Sequence, residues 1–276
     1  LMRVPGGSDG LALADPAWRF TAKGPFTGKC DRRGVYTISY GKQPTQPGHF
    51  GQVARLVKVP AGAGRVMLRV YQSDDYCGGR EPKLVGDRRP LYRAVADAIP
   101  AQRVLYPGSY VDVTPSIVWP TATYVDVDRR AKRFFADRDG VTELLSELGA
   151  GGPRTFEFIH ADYTAGLALP ERSSDLLVSL YAEFVSEHCT RYLAIGGHLL
   201  VNSSHGDAAM ASIDERYRLR AVVEQRSGRT TVRSDGLDAY LVPKRPVDVT
   251  VELLHSTGRG VAYTRSPYAY LFERVA

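Results

Sequence analysis

The sequence predicts an α/β protein in which a doubly wound, mostly parallel sheet follows a small antiparallel β module. Two patterns lead to this prediction. From residue 91 onward, short apolar runs alternate with amphipathic stretches, which is typical of strands and helices in alternation. Between residues 18 and 86, closely spaced glycines and prolines separate short β-type runs.

Charge changes between the same two regions. Residues 1–89 hold 15 Lys+Arg and 7 Asp+Glu, a balance of +8, whereas residues 90–276 hold 21 and 23, a balance of −2. We therefore predict two domains, 1–89 and 90–276. The net charge of +6 is compatible with a nucleic-acid partner. Because the second domain is nearly neutral, we consider such a partner possible but disfavoured.

The composition excludes several protein classes. A hydrophobic content of 43% and a charged content of 24% are globular values, which exclude disordered, collagen-like and coiled-coil chains. No apolar run reaches the roughly 18 residues of a spanning helix, and no signal peptide is visible. Cys30, Cys77 and Cys189 form no Cys-x-x-Cys pair, so we expect free thiols, no metal and a cytoplasmic protein. A Cys30–Cys77 disulfide is the alternative.

The first domain is predicted to contain an antiparallel sheet or a fragment of a β-sandwich. Its strands are expected at 34–40, 52–59 and 64–72. The stretch 59–76 (VPAGAGRVMLRVYQSDDY) loosely resembles part of a galactose-binding-like β-sandwich. The loop Asp74-Asp75-Tyr76 within it is either a site for calcium or a sugar hydroxyl, or a solvated turn.

The second domain begins with an amphipathic helix at 91–99, which Pro100 ends. Five strands are then predicted at 103–106, 122–127, 155–160, 175–180 and 198–202. The helices between them are expected at 129–136, 141–148 and 182–193, the last closed by Gly196-Gly197. Antiparallel strands at 217–224 and 268–275 would complete the sheet, enclosing an inserted hairpin (229–233 and 239–242) and a helix at 251–255.

Residues that follow the strands are the functional candidates, because doubly wound folds bind ligands at the carboxyl ends of their strands. Gly108 follows the first strand and lets the backbone approach a ligand closely. Asp126 lies 18 residues later and either accepts hydrogen bonds from ribose hydroxyls or caps the next helix, for which Asp128 is the more natural residue. Asp162 follows the third strand, where an acid can accept from an adenine amino group, unless it belongs to a plain surface loop. Together these residues suit an adenosine-type ligand.

At this point the second domain resembles the class I S-adenosylmethionine-dependent methyltransferases. The resemblance rests on five segments in order: 104–108 (VLYPG), 124–128 (YVDVD), 158–162 (FIHAD), 175–179 (DLLVS) and 192–201 (YLAIGGHLLV). It implies a Rossmann-like sheet, S-adenosylmethionine as cofactor, and a small-molecule methyl acceptor. The implied cofactor-binding residues are Tyr106, Gly108, Ser109, Asp126, Asp162 and Ser179.

The first loop departs from the family pattern of an acid followed by Gly-x-Gly-x-Gly. Tyr106 stands where the acid would be, and Tyr110 and Asp112 stand where the second and third glycines would be. Tyr110 adds a large side chain where the methionine moiety would pass. Asp112 puts a carboxylate near the cofactor's own carboxylate, which is unfavourable unless a cation lies between them. Three alternatives follow: ordinary cofactor binding by an altered loop, binding of a different nucleotide, or a family member that has lost catalysis.

The sequence shows no sharp catalytic motif, and methyl transfer to an aligned acceptor needs few reactive side chains. Tyr181 and His205 are the candidate catalytic residues, with Glu183 facing the same substrate. The alternatives are that Tyr181 belongs to the core and that His205 is an ordinary surface histidine. We predict a methyltransferase acting on a small molecule. The alternative is a non-catalytic scaffold whose basic front binds carbohydrate or nucleic acid.

Overall fold

A computed structural model describes residues 18–21, 25–30, 36–40, 52–56, 69–72, 88–226 and 228–276. The chain divides into two compact units, Leu1–Asp87 and Arg88–Ala276. The loop Asp74-Asp75-Tyr76 and the Cys77 partner of the alternative disulfide lie outside the described residues. Cys189, in the second unit, is a buried free thiol.

The described part of the first unit is one antiparallel meander. Its strands are β1 (Trp18–Thr21), β2 (Pro25–Cys30), β3 (Tyr36–Tyr40), β4 (Gln52–Leu56) and β5 (Arg69–Gln72), and each pairs with the next. The predicted strands at 34–40, 52–59 and 64–72 contain β3, β4 and β5. The resemblance to a galactose-binding-like sandwich is not shown, because the described strands form a single sheet.

The second unit contains an eight-stranded mixed sheet. Its strands are β6 (Arg103–Pro107), β7 (Thr121–Val125), β8 (Thr155–Ile159), β9 (Ser174–Ser179), β10 (Leu193–Val201), β11 (Tyr217–Arg226), β12 (Arg229–Arg233) and β13 (Ala269–Arg274). Their spatial order is β12-β11-β13-β10-β9-β6-β7-β8. The run from β10 to β8 is parallel, and the last three strands of the chain are antiparallel. This confirms the predicted Rossmann-like fold.

Helices connect these strands and bury their apolar faces against the sheet. They are α1 (Arg89–Ala98), α2 (Pro115–Val118), α3 (Arg129–Ala136), α4 (Arg138–Glu147), α5 (Val185–Cys189), α6 (Asp207–Ile213) and α7 (Val251–Thr257). Asp128 caps α3 by accepting from the Arg130 N–H at 2.6 Å, as its position predicted. Leu105, Leu177 and Leu199 are almost fully buried in the middle of the sheet, consistent with parallel strands covered on both faces. No helix in the described part of the chain is long and apolar enough to cross a membrane.

Two predicted elements were wrong. The helix expected at 182–193 is reduced to α5, because β10 already begins at Leu193. Gly196-Gly197 therefore lies inside β10, at a register shift between Leu193 and His198, and does not close a helix. The strand expected at 239–242 is a 3-10 turn at Leu237–Tyr240. The hairpin at this position is formed by β11 and β12.

Candidate functional site

The candidate site lies at the carboxyl ends of the parallel strands. The chain runs outward from β6 through β7 to β8 and then returns to β9 on the other side of β6. Open α/β sheets bind ligands at such a reversal of strand order, outside the carboxyl ends of the strands. We use the word crevice for this region beside the ends of β6 and β9. Residues from the loops after β6, β7, β8, β9 and β10 meet at this edge.

Gly108 makes a tight turn directly after β6. Its φ is +68°, and its N–H donates to the Val125 carbonyl at 2.8 Å. A Cβ on Gly108 would lie 2.8 Å from the Cβ of Ala182, in the loop after β9. Two features of the fold therefore favour glycine at this position: its left-handed backbone and the close approach of these two loops.

Tyr110 occupies the position of the missing second glycine and keeps a glycine-like backbone, with φ +47°. Its N–H donates to Asp126 Oδ2 at 2.7 Å. Its ring packs beneath the guanidinium of Arg130, with Cζ 5.2 Å from the ring centre. The loop thus bends as a glycine-containing loop would, and Arg130, on α3, fixes the position of the large side chain.

Asp126 is half-buried at the end of β7 and organises this loop. Besides the Tyr110 N–H, it accepts from the Asp128 N–H at 2.7 Å through Oδ1. A carboxylate has about four acceptor positions, so each oxygen retains capacity for one further donor. Val127 beside it is 62% exposed, an unusually open position for a valine, and its carbonyl contacts His160 Nε2 at 2.9 Å.

Asp112, at the position of the third glycine, is paired with a cation. Arg88 Nη1 lies 2.6 Å from Asp112 Oδ2 and donates to the Tyr106 hydroxyl at 2.6 Å. The Tyr106 and Tyr92 hydroxyls also donate to the same carboxylate, at 3.4 and 3.5 Å. Burial is the main cause that raises the pKa of Tyr106. The carboxylate that was expected to repel a cofactor is therefore neutralised within the protein.

The remaining predicted binding residues divide into exposed and buried ones. Asp162 is exposed, and hydrogen bonds from the Thr164 hydroxyl (2.7 Å) and N–H (2.9 Å) hold its pKa below the usual range. Tyr106, Ser109 and Ser179 are at most 2% exposed. The Ser179 hydroxyl donates to the buried carboxylate of Asp207, so it is already used within the protein.

Tyr181, Glu183 and His205 lie on the other side of the crevice. Tyr181 is 55% exposed, so it is not a core residue, and its ring faces Arg88 with Cζ 5.4 Å from the ring centre. Its N–H donates to Asn202 Oδ1 at 3.3 Å, which ties the loop after β9 to the end of β10.

The backbone of Glu183 is held at both polar groups by the Tyr163 hydroxyl, which donates to its carbonyl at 2.8 Å and accepts from its N–H at 3.2 Å. The side chain of Glu183 reaches His205, with Oε1 3.5 Å from Nδ1. Both side chains are largely exposed, at 43% for His205 and 60% for Glu183. Such a pair can hold and move a proton.

Left-handed backbone is concentrated at this edge. Of the five non-glycine residues with positive φ in the described part of the chain, four follow β6, β9 or β10 at their carboxyl ends: Tyr110, Tyr181, Phe184 and His205. Such conformations cost roughly 1–3 kcal/mol each and are common at functional sites. The sequence did not reveal them, because tyrosine and phenylalanine rarely adopt such a backbone and a histidine adopts it too seldom to signal it alone.

Asp207 also lies at this edge of the sheet, and the sequence analysis did not select it. It begins α6, is fully buried, and accepts from the hydroxyls of Ser179 and Ser186 and from the Ser186 N–H at 3.0 Å. Burial raises the pKa of Asp207 despite these hydrogen bonds. Its position after Gly206 at a helix start was the available signal. In the described residues, no group of three or more His, Cys, Asp or Glu side chains converges as a metal site.

Comparison with known proteins finds solved structures that are similar to this chain, with low TM-scores. No protein-family model matches the chain, and no curated protein matches it. The PH0226 protein from Pyrococcus horikoshii OT3 is 12% identical over 68% of this chain and 89% of its own, with a TM-score of 0.38. The O-methyltransferase TomG from Streptomyces achromogenes, solved with its cofactor, is 14% identical over 52% and 76%, with a TM-score of 0.36.

Other similar structures match only in part. YcgJ from Bacillus subtilis is 17% identical over 45% of this chain, with a TM-score of 0.34, and the chain spans 55% of its length. The chain spans 46% of the [4+2]-cyclase SpnF. At such scores the likenesses carry no argument about activity, so any functional conclusion depends on the site itself.

Proposed function

We propose that the carboxyl edge of this sheet binds S-adenosylmethionine and that the protein transfers its methyl group to a small-molecule acceptor. The observation that carries the proposal is the Asp126 carboxylate at the end of β7. It lies beside the Gly108 turn at the strand-order reversal and holds the loop through the Tyr110 N–H. A carboxylate with free acceptor capacity at this place suits the two hydroxyls of a ribose.

The residues of the crevice fit the cofactor despite the altered loop. Tyr110 retains the backbone of a glycine, with its ring packed against Arg130. Asp112 is neutralised by Arg88, so a ligand carboxylate near this loop meets no free negative charge. Asp126 would hold the ribose, Val127 offers an exposed apolar side chain beside it, and Asp162 would accept from the adenine amino group.

When bound, S-adenosylmethionine supplies a methyl group already activated by its sulfonium, so the protein needs chiefly to align the acceptor. Tyr181, Glu183 and His205 would form the acceptor side of the crevice. Glu183 Oε1 faces His205 Nδ1, which leaves Nε2 to take the proton of an acceptor hydroxyl or amine. Tyr181 offers an exposed ring that an apolar acceptor can pack against.

The alternative, a scaffold whose front binds carbohydrate or nucleic acid, depends on residues 1–89. Only the backbone of β1–β5 is described over residues 1–87. No observation in the described part of the chain favours a scaffold without catalysis.

Calorimetric titration with S-adenosylmethionine and S-adenosylhomocysteine tests the proposal. We expect saturable heat with the full chain and at least tenfold weaker binding in Asp126→Asn, since one bidentate hydrogen bond to a charged group contributes roughly 1.5–3 kcal/mol. Asp128→Asn is the matched control, because it changes a neighbouring carboxylate that caps α3 and because asparagine is also a good cap.

Two outcomes would contradict the proposal in different ways. Absence of heat with either ligand rejects cofactor binding altogether. Binding that is equally strong in Asp126→Asn and wild type leaves the ligand class intact and rejects the assigned ribose residue. Urea unfolding of both variants distinguishes a lost contact from a lost fold.

A further inference from the structure

The sheet of the first unit has all the lysines and arginines of its described strands on one face. The registers pair Lys29 with Thr37, Thr37 with Arg55, and Arg55 with Arg69. Residues that are paired across strands share a face, because successive residues of a strand alternate between the two faces. These four residues therefore form one row across β2, β3, β4 and β5. With neighbouring strands about 4.8 Å apart, the row is about 14 Å long.

A second row on the same face contains the remaining cation. It lies two residues away along each strand and consists of Arg19, Thr27, Ser39, Val53 and Tyr71. We call the surface made by these two rows the basic face. It combines four cationic residues with four that carry a hydroxyl group, and the five described strands contain no Asp or Glu.

The opposite face of this sheet is apolar. The residues that alternate with those of the basic face include Trp18, Phe20, Phe26, Ile38, Leu56 and Val70. Antiparallel sheets commonly pack their apolar face on a core and leave the polar face to water. The basic face is therefore the candidate interaction surface of this unit.

The chain around these strands carries the same sign of charge. Residues 18–72 hold 10 Lys+Arg and 1 Asp+Glu, a balance of +9. Solvated surfaces usually mix both signs, since unbalanced charge destabilises a compact state by self-repulsion. So one-sided a balance over a short stretch indicates a polyanionic partner that neutralises it. The nearly neutral charge of the second domain disfavours nucleic acid there and does not bear on this unit.

We propose that the basic face binds the phosphate backbone of a single-stranded nucleic acid without reading its sequence. Arginine, lysine, serine, threonine and tyrosine are residues that contact phosphates. Most aromatic residues of the strands belong to the opposite face, so base stacking contributes little. Five strands span about 19 Å, which is too wide for the roughly 12 Å major groove of a duplex, whereas a single strand can lie along the rows. The inference does not depend on the proposed methyl transfer.

Fluorescence anisotropy of a labelled oligonucleotide of about 12 thymidines, titrated with the full chain, tests the inference. We expect saturable binding, with a dissociation constant below about 10 μM in 50 mM KCl. The logarithm of the association constant should fall with the logarithm of the KCl concentration, with a slope of about −2.8 for four neutralised phosphates. A duplex of the same length should bind at least about tenfold more weakly.

Variants locate the binding surface. Arg55→Gln/Arg69→Gln removes two neighbouring cations of one row and should weaken binding at least about tenfold, with a salt slope smaller by about 1.4. Arg55→Lys/Arg69→Lys keeps the charge and should keep the slope. Arg93→Gln/Arg245→Gln is the matched control, because it makes the same change in net charge at two exposed arginines of the second unit. We expect it to change the affinity less than about twofold.

Three results would overturn the inference. The first is the absence of saturable binding at about 100 μM protein in 50 mM KCl, the weak limit of non-specific nucleic-acid binding. The second is an equal loss in the double glutamine variant and its control, which would mean attraction by net charge alone. The third is a duplex that binds as tightly as the single strand. Should the double variant fail to fold, Lys29→Gln replaces it, with an expected decrease of the slope by about 0.7. An unchanged slope in that variant would equally reject the basic face.

Discussion

Arg88 Nη1 lies 2.6 Å from Asp112 Oδ2, and both side chains are only 17% exposed. This ion pair connects the segment before α1 with the loop after β6, and the Tyr106 hydroxyl joins it from the strand. Its partners are 24 residues apart in the chain, so sequence spacing does not predict their meeting. The Asp112 carboxylate, which stands where the family has a glycine, is thus neutralised and hydrogen-bonded within the protein.

Removing the Arg88 guanidinium should therefore destabilise the fold. Arg88→Gln leaves Asp112 partly buried without its counter-charge, and we expect the free energy of unfolding to fall by about 1–3 kcal/mol. Adding Asp112→Asn to this variant should recover most of the loss, because the two effects share one interaction. Urea unfolding of the full chain measures both, with Arg93→Gln, an exposed arginine of α1, as control.

The same pair should affect ligand affinity under the proposed function. S-adenosylhomocysteine should bind more weakly to Arg88→Gln and regain affinity in the double variant. Equal affinity in wild type and Arg88→Gln would show that Asp112 does not face the ligand.

Gly108 offers a test of the close contact between two loops. Gly108→Ala places a methyl group 2.8 Å from the Cβ of Ala182 on a backbone with φ +68°, so it combines a clash with strain. Gly149→Ala is the matched control, because its φ is +83° and nothing lies within 4 Å of the added Cβ. We expect about 1 kcal/mol of destabilisation in the control and about 1–3 kcal/mol more at Gly108, measured by urea unfolding. Equal losses would mean that the loops separate without cost.

Asp207 predicts a specific pH dependence of stability. Burial raises its pKa above the ordinary value of about 3.8, so the unfolded chain releases this proton at a lower pH than the folded protein does. The contribution of this group to stability is therefore largest at low pH and falls as pH rises from about 4 toward the folded pKa. Asp207→Asn removes that titration and keeps an acceptor for the Ser186 N–H.

Chemical unfolding at a series of pH values checks this expectation. The free energy of unfolding of Asp207→Asn relative to wild type should increase across the acidic window. Asp97→Asn, at an exposed position of α1, controls for carboxylates in general. A difference that stays constant with pH would show that Asp207 keeps its ordinary pKa in the folded protein.

Much of the second unit was predictable because each parallel strand is a short apolar run between polar or glycine-rich turns. The same local pattern located Gly108 and Asp126 correctly at the carboxyl edge. Two elements were misassigned for a common reason. Apolar residues at 189–195 and 239–242 suit either a helix or a strand, and only pairing with Ser174 in β9 makes Leu193 part of β10.

The polar interior of the site could not be predicted in the same way. Asp207 accepts from the hydroxyls of Ser179 and Ser186, which are 28 and 21 residues away. Glu183, in the loop after β9, contacts His205, in the loop after β10. These contacts depend on which loops the sheet order brings together. The position of Ser179 was also misleading. It ends a strand, as a ligand-binding residue would, yet its hydroxyl donates to the buried carboxylate of Asp207.

His205 provides a test of whether backbone strain at this edge is real. Its φ of +57° disfavours any residue with a Cβ, and the Glu183 contact lies at 3.5 Å on an exposed surface. At an ordinary position glycine is less stable than alanine by about 0.5–1 kcal/mol. At residue 205 we expect the order to invert, with His205→Gly more stable than His205→Ala by about 1 kcal/mol in urea unfolding.

Ser203, with φ −74° in the same turn, is the control, and Ser203→Gly should be less stable than Ser203→Ala. An alanine variant at 205 that equals or exceeds the glycine variant would show that the turn relaxes freely. The expected inversion would mean that a histidine occupies a position whose backbone suits glycine, and that the rest of the fold offsets the cost of this conformation.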